Sequence, residues 1–156
     1  MQDLLKMLCR TIFNTALVLT SSIQSLVAEE ITFNTTKLSI NSHIYSLEIA
    51  KTQDQRQHGL MFRKILTSKN GMVFVYPNSA VHHIWMKNTK IKLTVIWINK
   101  KGAVTDIQRL DPCLQNPCKV FGLNSPSKYI IELNHKYHDI KIGDQIRGLD
   151  KLKSTD

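Results

Sequence analysis

The usual signatures of a reaction are missing from this sequence. It has no nucleophile elbow, no phosphate-cradling glycine loop, no zinc-ligand spacing and no paired-carboxylate motif. It has no internal repeat, low-complexity stretch or linker. No apolar run reaches the roughly 20 residues that a membrane-spanning helix needs. Acidic residues are also scarce, with 12 against 21 Lys and Arg, a net charge of +9. The excess is scattered, with loose groups at Lys87–Lys92, at Lys100–Lys101 and near the C-terminus. No aromatic-basic module of the RNA-binding kind accompanies it, which argues against nucleic acid as a partner. Solubility, with attraction to anionic lipids or polysaccharides, is the plainer use of such a charge.

What is present begins with the first 28 residues. Lys6 and Arg10 precede a mostly apolar run, Thr11 to Thr20, then "SSIQS" and "SLVA". That order of basic, apolar and small polar segments is the layout of a secretory signal peptide, with cleavage expected after Ala28. An uncleaved anchor is the alternative. Residues 29–156 would then form one domain, long enough to bury a core. Cleavage leaves 19 basic and 11 acidic residues, a charge of +8. It also leaves two cysteines, Cys113 and Cys118. An even count in an exported protein predicts a disulfide. Their spacing is wider than the Cys-x-x-Cys of redox-active dithiols, so the bond is read as structural.

Alternation predicts strands at Leu38–Ile40 and at Tyr45, Leu47 and Ile49, joined by a turn at Asn41-Ser42. Thr52 with Gln55 forms a capping box that should open a short helix, which Gly59 ends. "NGMVFVYP" reads as a strand stopped by Pro77. His82–Lys87, Ile91–Asn99 and "AVTDIQRL" follow as strands, the last two separated by the turn "NKKG". In the second of these, Val95 and Trp97 face away from Ile96 and Ile98. Asp111 to Pro126 is a loop, and "YIIELN" is a buried strand. A short helix or turn is expected around His135–His138, then a turn at Gly143-Asp144 into a last short strand. Seven or eight short strands with one or two small helices predict a mainly β domain, barrel-like or sandwich-like, without alternating βαβ units.

The stretch "HHIWMKNT", His82 to Thr89, concentrates unlike chemistries. On a continuous strand Trp85, Lys87 and Thr89 would share one face, with Met86 and Asn88 on the other. An aromatic plate beside an ammonium and a hydroxyl suits a sugar or a small anion. The plainer alternative makes Met86 core, Lys87 solvated and Asn88-Thr89 a turn. Arg56, on the expected helix, could clamp an anion, satisfy backbone carbonyls, or pair with Asp106 or Glu132. A metal site is not expected. His82 and Met86 would stand about 13 Å apart at roughly 3.3 Å per residue, and His82 and His83 point to opposite faces. Met61 and Met72 have the surroundings of core residues.

Several motifs in order resemble the domain-of-unknown-function family 192, also called uncharacterised protein family 0127. They are Arg56 with Gly59-Leu60-Met61, Gly71-Met72-Val73-Phe74, and Trp85-Met86-Lys87-Asn88-Thr89. The resemblance runs from about Ile44 to Gly148. It implies a compact β-rich, barrel-like fold and no established reaction. Two positions depart from the family's pattern: Ile84 stands where an aromatic is usual, and Thr94 where an aspartate is usual. "PCLQNPC", Pro112 to Cys118, looks like the family's two-cysteine version.

The resulting expectation is an exported, periplasmic or secreted domain of the cell envelope, without a cofactor. Its Arg56, Trp85, Lys87, Asn88 and Thr89 would bind a carbohydrate or small anion. A hydrolase using the same cleft would need His83, Asp106 or Glu132 within hydrogen-bond reach. A structural envelope protein, bound only to other proteins, would use the motif for folding alone.

Overall fold

The structure, a computed structural model, describes residues 30–136 and 139–154. The expected signal segment lies outside the described residues, as does part of the expected turn at His135–His138.

Nine strands and one α-helix are found among the described residues. In chain order they are β1 (Asn34–Ile40), β2 (His43–Ala50), α1 (Gln53–His58), β3 (Asn70–Ala80), β4 (His83–Trp85), β5 (Leu93–Ile98), β6 (Val104–Leu110), β7 (Val120–Gly122), β8 (Ser127–Asn134) and β9 (Ile146–Arg147). A 3-10 turn at Leu149–Lys151 follows. Seven strands form one sheet in the order β6-β5-β8-β3-β2-β1-β9, and β4 and β7 form a separate ribbon. The fold is mainly β, a curled half-barrel with a small second sheet. Its two edges are laced at one end. β9 pairs with β1 through Ser39–Arg147 and Ile40–Ile146, while Val104 N–H donates to Asp144 O and Ile146 N–H to Gly102 O. This lacing satisfies backbone groups that an open edge would leave exposed.

Alternation explains how each strand sorts its side chains. Leu38, Ile40, Tyr45, Leu47, Val73, Val75, Ile96, Ile98, Ile131 and Leu133 fill one face of the sheet. Ala50, Met72, Phe74, Leu93, Val95, Trp97 and Ile130 lie on the other, beneath Leu60, Ile84 and Met86. The central strands β3, β5 and β8 are therefore buried on both sides. That is why "GMVFV", "LTVIWI" and "YIIEL" read as near-continuous apolar runs. β3 and β8 also approach closely at Gly71, where a Cβ would lie 2.1 Å from Glu132 O.

β2 and β3 run parallel, with α1 in the crossover between them, so one parallel pair exists where none was expected. The capping box forms as the sequence predicts. Thr52 Oγ1 accepts from Gln55 N–H at 3.2 Å, and Gln55 Oε1 accepts from Thr52 N–H at 3.2 Å. Gly59 closes the helix at φ +51° and sits against Phe74, so α1 rests over the second face of the sheet.

Two strand expectations are corrected. β3 continues through Pro77 to Ala80, because its pairing with β8 shifts register between Val75 and Ala80 and no ladder donor is needed at the proline. The strand expected at His82–Lys87 ends at Trp85. Thr89 N–H donates to Met86 O at 3.1 Å, closing a turn in which Asn88 takes φ +56°.

Cys113 and Cys118 are disulfide-bonded, with Cα atoms 5.7 Å apart. The bond pins the loop that leads into β7.

Candidate functional site: a cleft beside the helix and a small chamber beneath it

α1 and the β4–β7 ribbon both contribute to one cleft of about 340 Å³, lined by Gln53, Arg56, Gln57, Tyr76, His83, Ile84, Trp85 and Val120. The local sequence dictates which side chains reach it. Gln53 and Gln57 stand four apart on α1 and share a helical face. His83 and Trp85 share the outer face of β4, while Ile84 between them is buried in the second core cluster. Val120, paired with Trp85, is exposed on β7.

Trp85 is 42% exposed, unusual for the largest apolar side chain, and Lys87 Nζ lies 5.0 Å from its ring centroid. Although the strand stops at Trp85, the turn returns Lys87 to the ring. Tyr76 of β3 contacts both a ring and a cation. His82 stacks on it with centroids 3.5 Å apart, and the Arg56 guanidinium lies 5.2 Å from its centroid. Burial, then the nearby Glu132 carboxyl, pushes the Tyr76 hydroxyl above its ordinary value, with Arg56 acting the other way. Tyr76 thus stays a neutral phenol. Burial lowers His82 below its ordinary value, and the Asn78 carbonyl partly offsets this.

Arg56 is held as much as it is presented. Its Nη1 donates to Lys51 O at 2.6 Å and to Val75 O at 3.1 Å. The carbonyl-satisfying role weighed from the sequence is thus met, and the same side chain lines the cleft.

Below the cleft lies a chamber of about 20 Å³, room for about one water. Arg56, Gln57, Ile84 and Trp85 line both spaces, and His58, Lys87, Thr89 and Glu132 are among those lining only the chamber. Glu132 interrupts the apolar face of β8 between Met72 of β3 and Val95 of β5. It is 4% exposed, and burial pushes its carboxyl up to about 8, so it is mainly a neutral acid at pH 7. Among the described residues no hydrogen bond or ion pair reaches that carboxyl. Thr89 is 6% exposed, and its hydroxyl donates to Lys87 O at 3.4 Å.

Of the five residues expected to bind a ligand, Arg56 and Trp85 line the cleft and Lys87 and Thr89 the chamber under it. Asn88 lines neither. It is exposed, its carbonyl accepts from Phe62 N–H at 2.8 Å, and its amide lies 3.8 Å from Met61 Sδ. Its place in the motif is explained by the left-handed turn, which asparagine tolerates well. Asp106, on edge strand β6, accepts from Gln108 Nε2 at 2.8 Å and lines neither space. No group of three or more metal-ligating side chains occurs among the described residues.

The motifs that shape this cleft are those matched by the family pattern DUF192, "Uncharacterized ACR", over residues 35–148. The chain belongs to DUF192. Two solved structures share its fold. One, described as a candidate transcription regulator from Sinorhizobium meliloti 1021, is 25% identical, covers 76% of this chain and 96% of its own, and has a TM-score of 0.69. The other, a protein of unknown function from Novosphingobium aromaticivorans DSM 12444, is 22% identical, covers 76% and 94%, and has a TM-score of 0.63. No curated protein matches the chain.

The two departures from the DUF192 pattern now have locations. Ile84 fills the cleft floor with an aliphatic side chain. Thr94 alternates with Leu93 and Val95, so it faces the opposite side of the sheet from the cleft. Its buried hydroxyl has no hydrogen-bond partner among the described residues.

Sequence reasoning missed Gln53, Gln57 and Tyr76, and named Glu132 only in an alternative reading. The amides carried a signal, an i, i+4 pair flanking Arg56. Glu132 carried another, an acid inside an otherwise apolar strand.

Proposed function

We propose that this protein is an exported cell-envelope domain that binds a small carbohydrate in the cleft beside α1. The observation carrying this reading is the part-exposed Trp85 ring in one cleft with the amides of Gln53 and Gln57. A sugar ring has apolar C–H faces and a rim of hydroxyls. An accessible indole suits the faces, and amides that both donate and accept suit the rim. A mostly apolar concavity with a few polar groups is the ordinary form of a small-molecule site. The Cys113–Cys118 bond fits an oxidising compartment, and the N-terminal segment has the layout of an export signal. Among the described residues no helix is long and apolar enough to cross a membrane.

The test is thermal unfolding of the oxidised protein against a sugar panel, repeated on Trp85→Ala and Gln57→Ala. A ligand that binds only the native state raises the midpoint. The reading expects at least one sugar to do so for the wild type and not for the variants. Because Trp85 and Gln57 are exposed, both variants should stay within about 1 kcal/mol of wild-type stability. Early unfolding of both, with no shift from any sugar, would assign the motif to folding alone.

A further inference from the structure

Away from the cleft, two loops at one end of the sheet present side chains that the core does not take up. The first runs from α1 to β3 and carries Phe62, Lys64 and Ile65. The second leads from β4 to β5 and carries Asn88 and Lys90. We propose that these loops dock the protein on an anionic lipid surface, with Phe62 and Ile65 entering the headgroup region and Lys64 and Lys90 meeting lipid phosphates.

Backbone bonds make the two loops one surface. Phe62 N–H donates to Asn88 O at 2.8 Å. The side-chain amide of Asn134, at the end of β8, donates to Leu66 O and fixes the far side of the first loop. β3 and β5 both begin beside the end of β8, at Gly71–Leu133 and Leu93–Asn134, so both loops lie at that end of the sheet.

The first observation is apolar exposure. Phe62 is 55% exposed and Ile65 78%. Phe62 also holds φ +63°, a backbone region that bulky side chains rarely adopt. Its ring lies 6.2 Å from that of His58 and stays exposed, so core packing does not account for the conformation. The second observation is charge. Between Asp54 and Asp106 the chain has no acidic residue, against nine Lys and Arg. Glu48 and Asp111 reach this end of the sheet, but each is engaged by a loop cation, Arg63 and Lys92. Lys64 and Lys90 each stand two residues beyond the bonded pair Phe62–Asn88. Both are exposed, and neither has an acidic partner among the described residues.

An anionic membrane answers both features. Apolar side chains enter the boundary of headgroups and acyl chains, and lysine stems follow them while their ammonium groups stay at the phosphates. A soluble polyanion would engage the lysines and leave Phe62 and Ile65 in water. Lipid is therefore the occupant that fits, and this docking stands apart from the carbohydrate reading.

Flotation of the full-length, oxidised protein with vesicles makes the test. The vesicles are phosphatidylcholine alone, or phosphatidylcholine and phosphatidylglycerol in equal parts. The proteins are wild type, Lys64→Gln/Lys90→Gln and Phe62→Asn/Ile65→Ser, in which asparagine tolerates the left-handed backbone. All four side chains are exposed, so the variants should keep the wild-type melting temperature. The N-terminal segment is common to the three proteins, so differences among them read the loops. Wild type should prefer the anionic vesicles. It should lose most of that preference when salt rises from about 0.1 M to about 1 M, which shortens the screening length from roughly 10 Å to roughly 3 Å. The lysine variant should bind about 25-fold more weakly, at roughly fivefold for each cation near such a surface. The apolar variant should bind about tenfold more weakly. Depth is read on Ile65→Trp, whose added indole should be quenched by brominated acyl chains beyond the wild-type baseline of Trp85 and Trp97.

Wild type that ignores the anionic lipid, a lysine variant that binds as wild type does, or an added indole that stays unquenched would each overturn the docking. Weaker binding in the lysine variant with none lost in the apolar variant would overturn it too, and would point to a soluble polyanion.

Discussion

Replacing Glu132 by glutamine keeps the side chain's shape and removes its titration. In the folded protein the carboxyl is raised from 4.5 to about 8, because burial on the second face of the sheet disfavours its charged form. The unfolded chain gives up this proton near 4.5, and the native state holds it until about pH 8. Between those values the native state binds more protons than the unfolded state, so stability falls as pH rises. The contribution is fully present below 4.5 and is lost by the time pH has passed through 8. At 1.36 kcal/mol for each pH decade, the whole window amounts to roughly 5 kcal/mol. That is a large part of the 5–15 kcal/mol typical of a domain. Glu132→Gln has no such slope. Urea unfolding of both proteins at pH 5, 6.5 and 8 reads the difference directly, because every other titrating group is common to the pair. The variant should gain on the wild type by roughly 4 kcal/mol between pH 5 and pH 8. Parallel stability curves would mean that Glu132 is solvated or paired when folded, and the neutral-acid account of the chamber would fail with them.

Two further perturbations test the supports of the cleft. Thr52→Ala removes the hydroxyl that caps α1 and should cost about 1 kcal/mol in chemical denaturation. It should also weaken any ligand held by Gln53 and Gln57, and equal affinity in the variant would show that the rest of the protein fixes the helix. Reducing the Cys113–Cys118 bond, or replacing both cysteines by serine, opens a loop with a sequence separation of 5. Loop-closure entropy for so short a ring predicts a loss of roughly 2 kcal/mol. An unchanged melting temperature in reductant would indicate that β7 is held by its pairing with β4 alone.

Local rules were legible along the chain wherever one side chain decides. Thr52 and Gln55 announced the helix start, Gly59 its end, and Asn41 the first hairpin, where it takes φ +53°. Alternation in "TVIWI" correctly separated Val95 and Trp97 from Ile96 and Ile98. The same rules failed at Pro77 and Lys87, because a bulge and a turn depend on the partner strand and on where its ladder ends. Which strands pair is a property of contacts distant in sequence, and so is the parallel β2–β3 step that lays α1 beside the ribbon.

The sequence by itself determined the alternation, the caps and the paired cysteines, each a matter of a few neighbouring residues. It also carried the apolar runs whose length required two-sided burial. Only the tertiary structure decided that Gln53, Gln57, Tyr76 and Trp85 share one cleft, and that Glu132 would be desolvated beneath it. A carboxyl's charge depends on the water and charges within a few ångströms of it. For Glu132 that surrounding is built by Met72, Val95 and the turn after Trp85, which the chain brings together only when the sheet has formed.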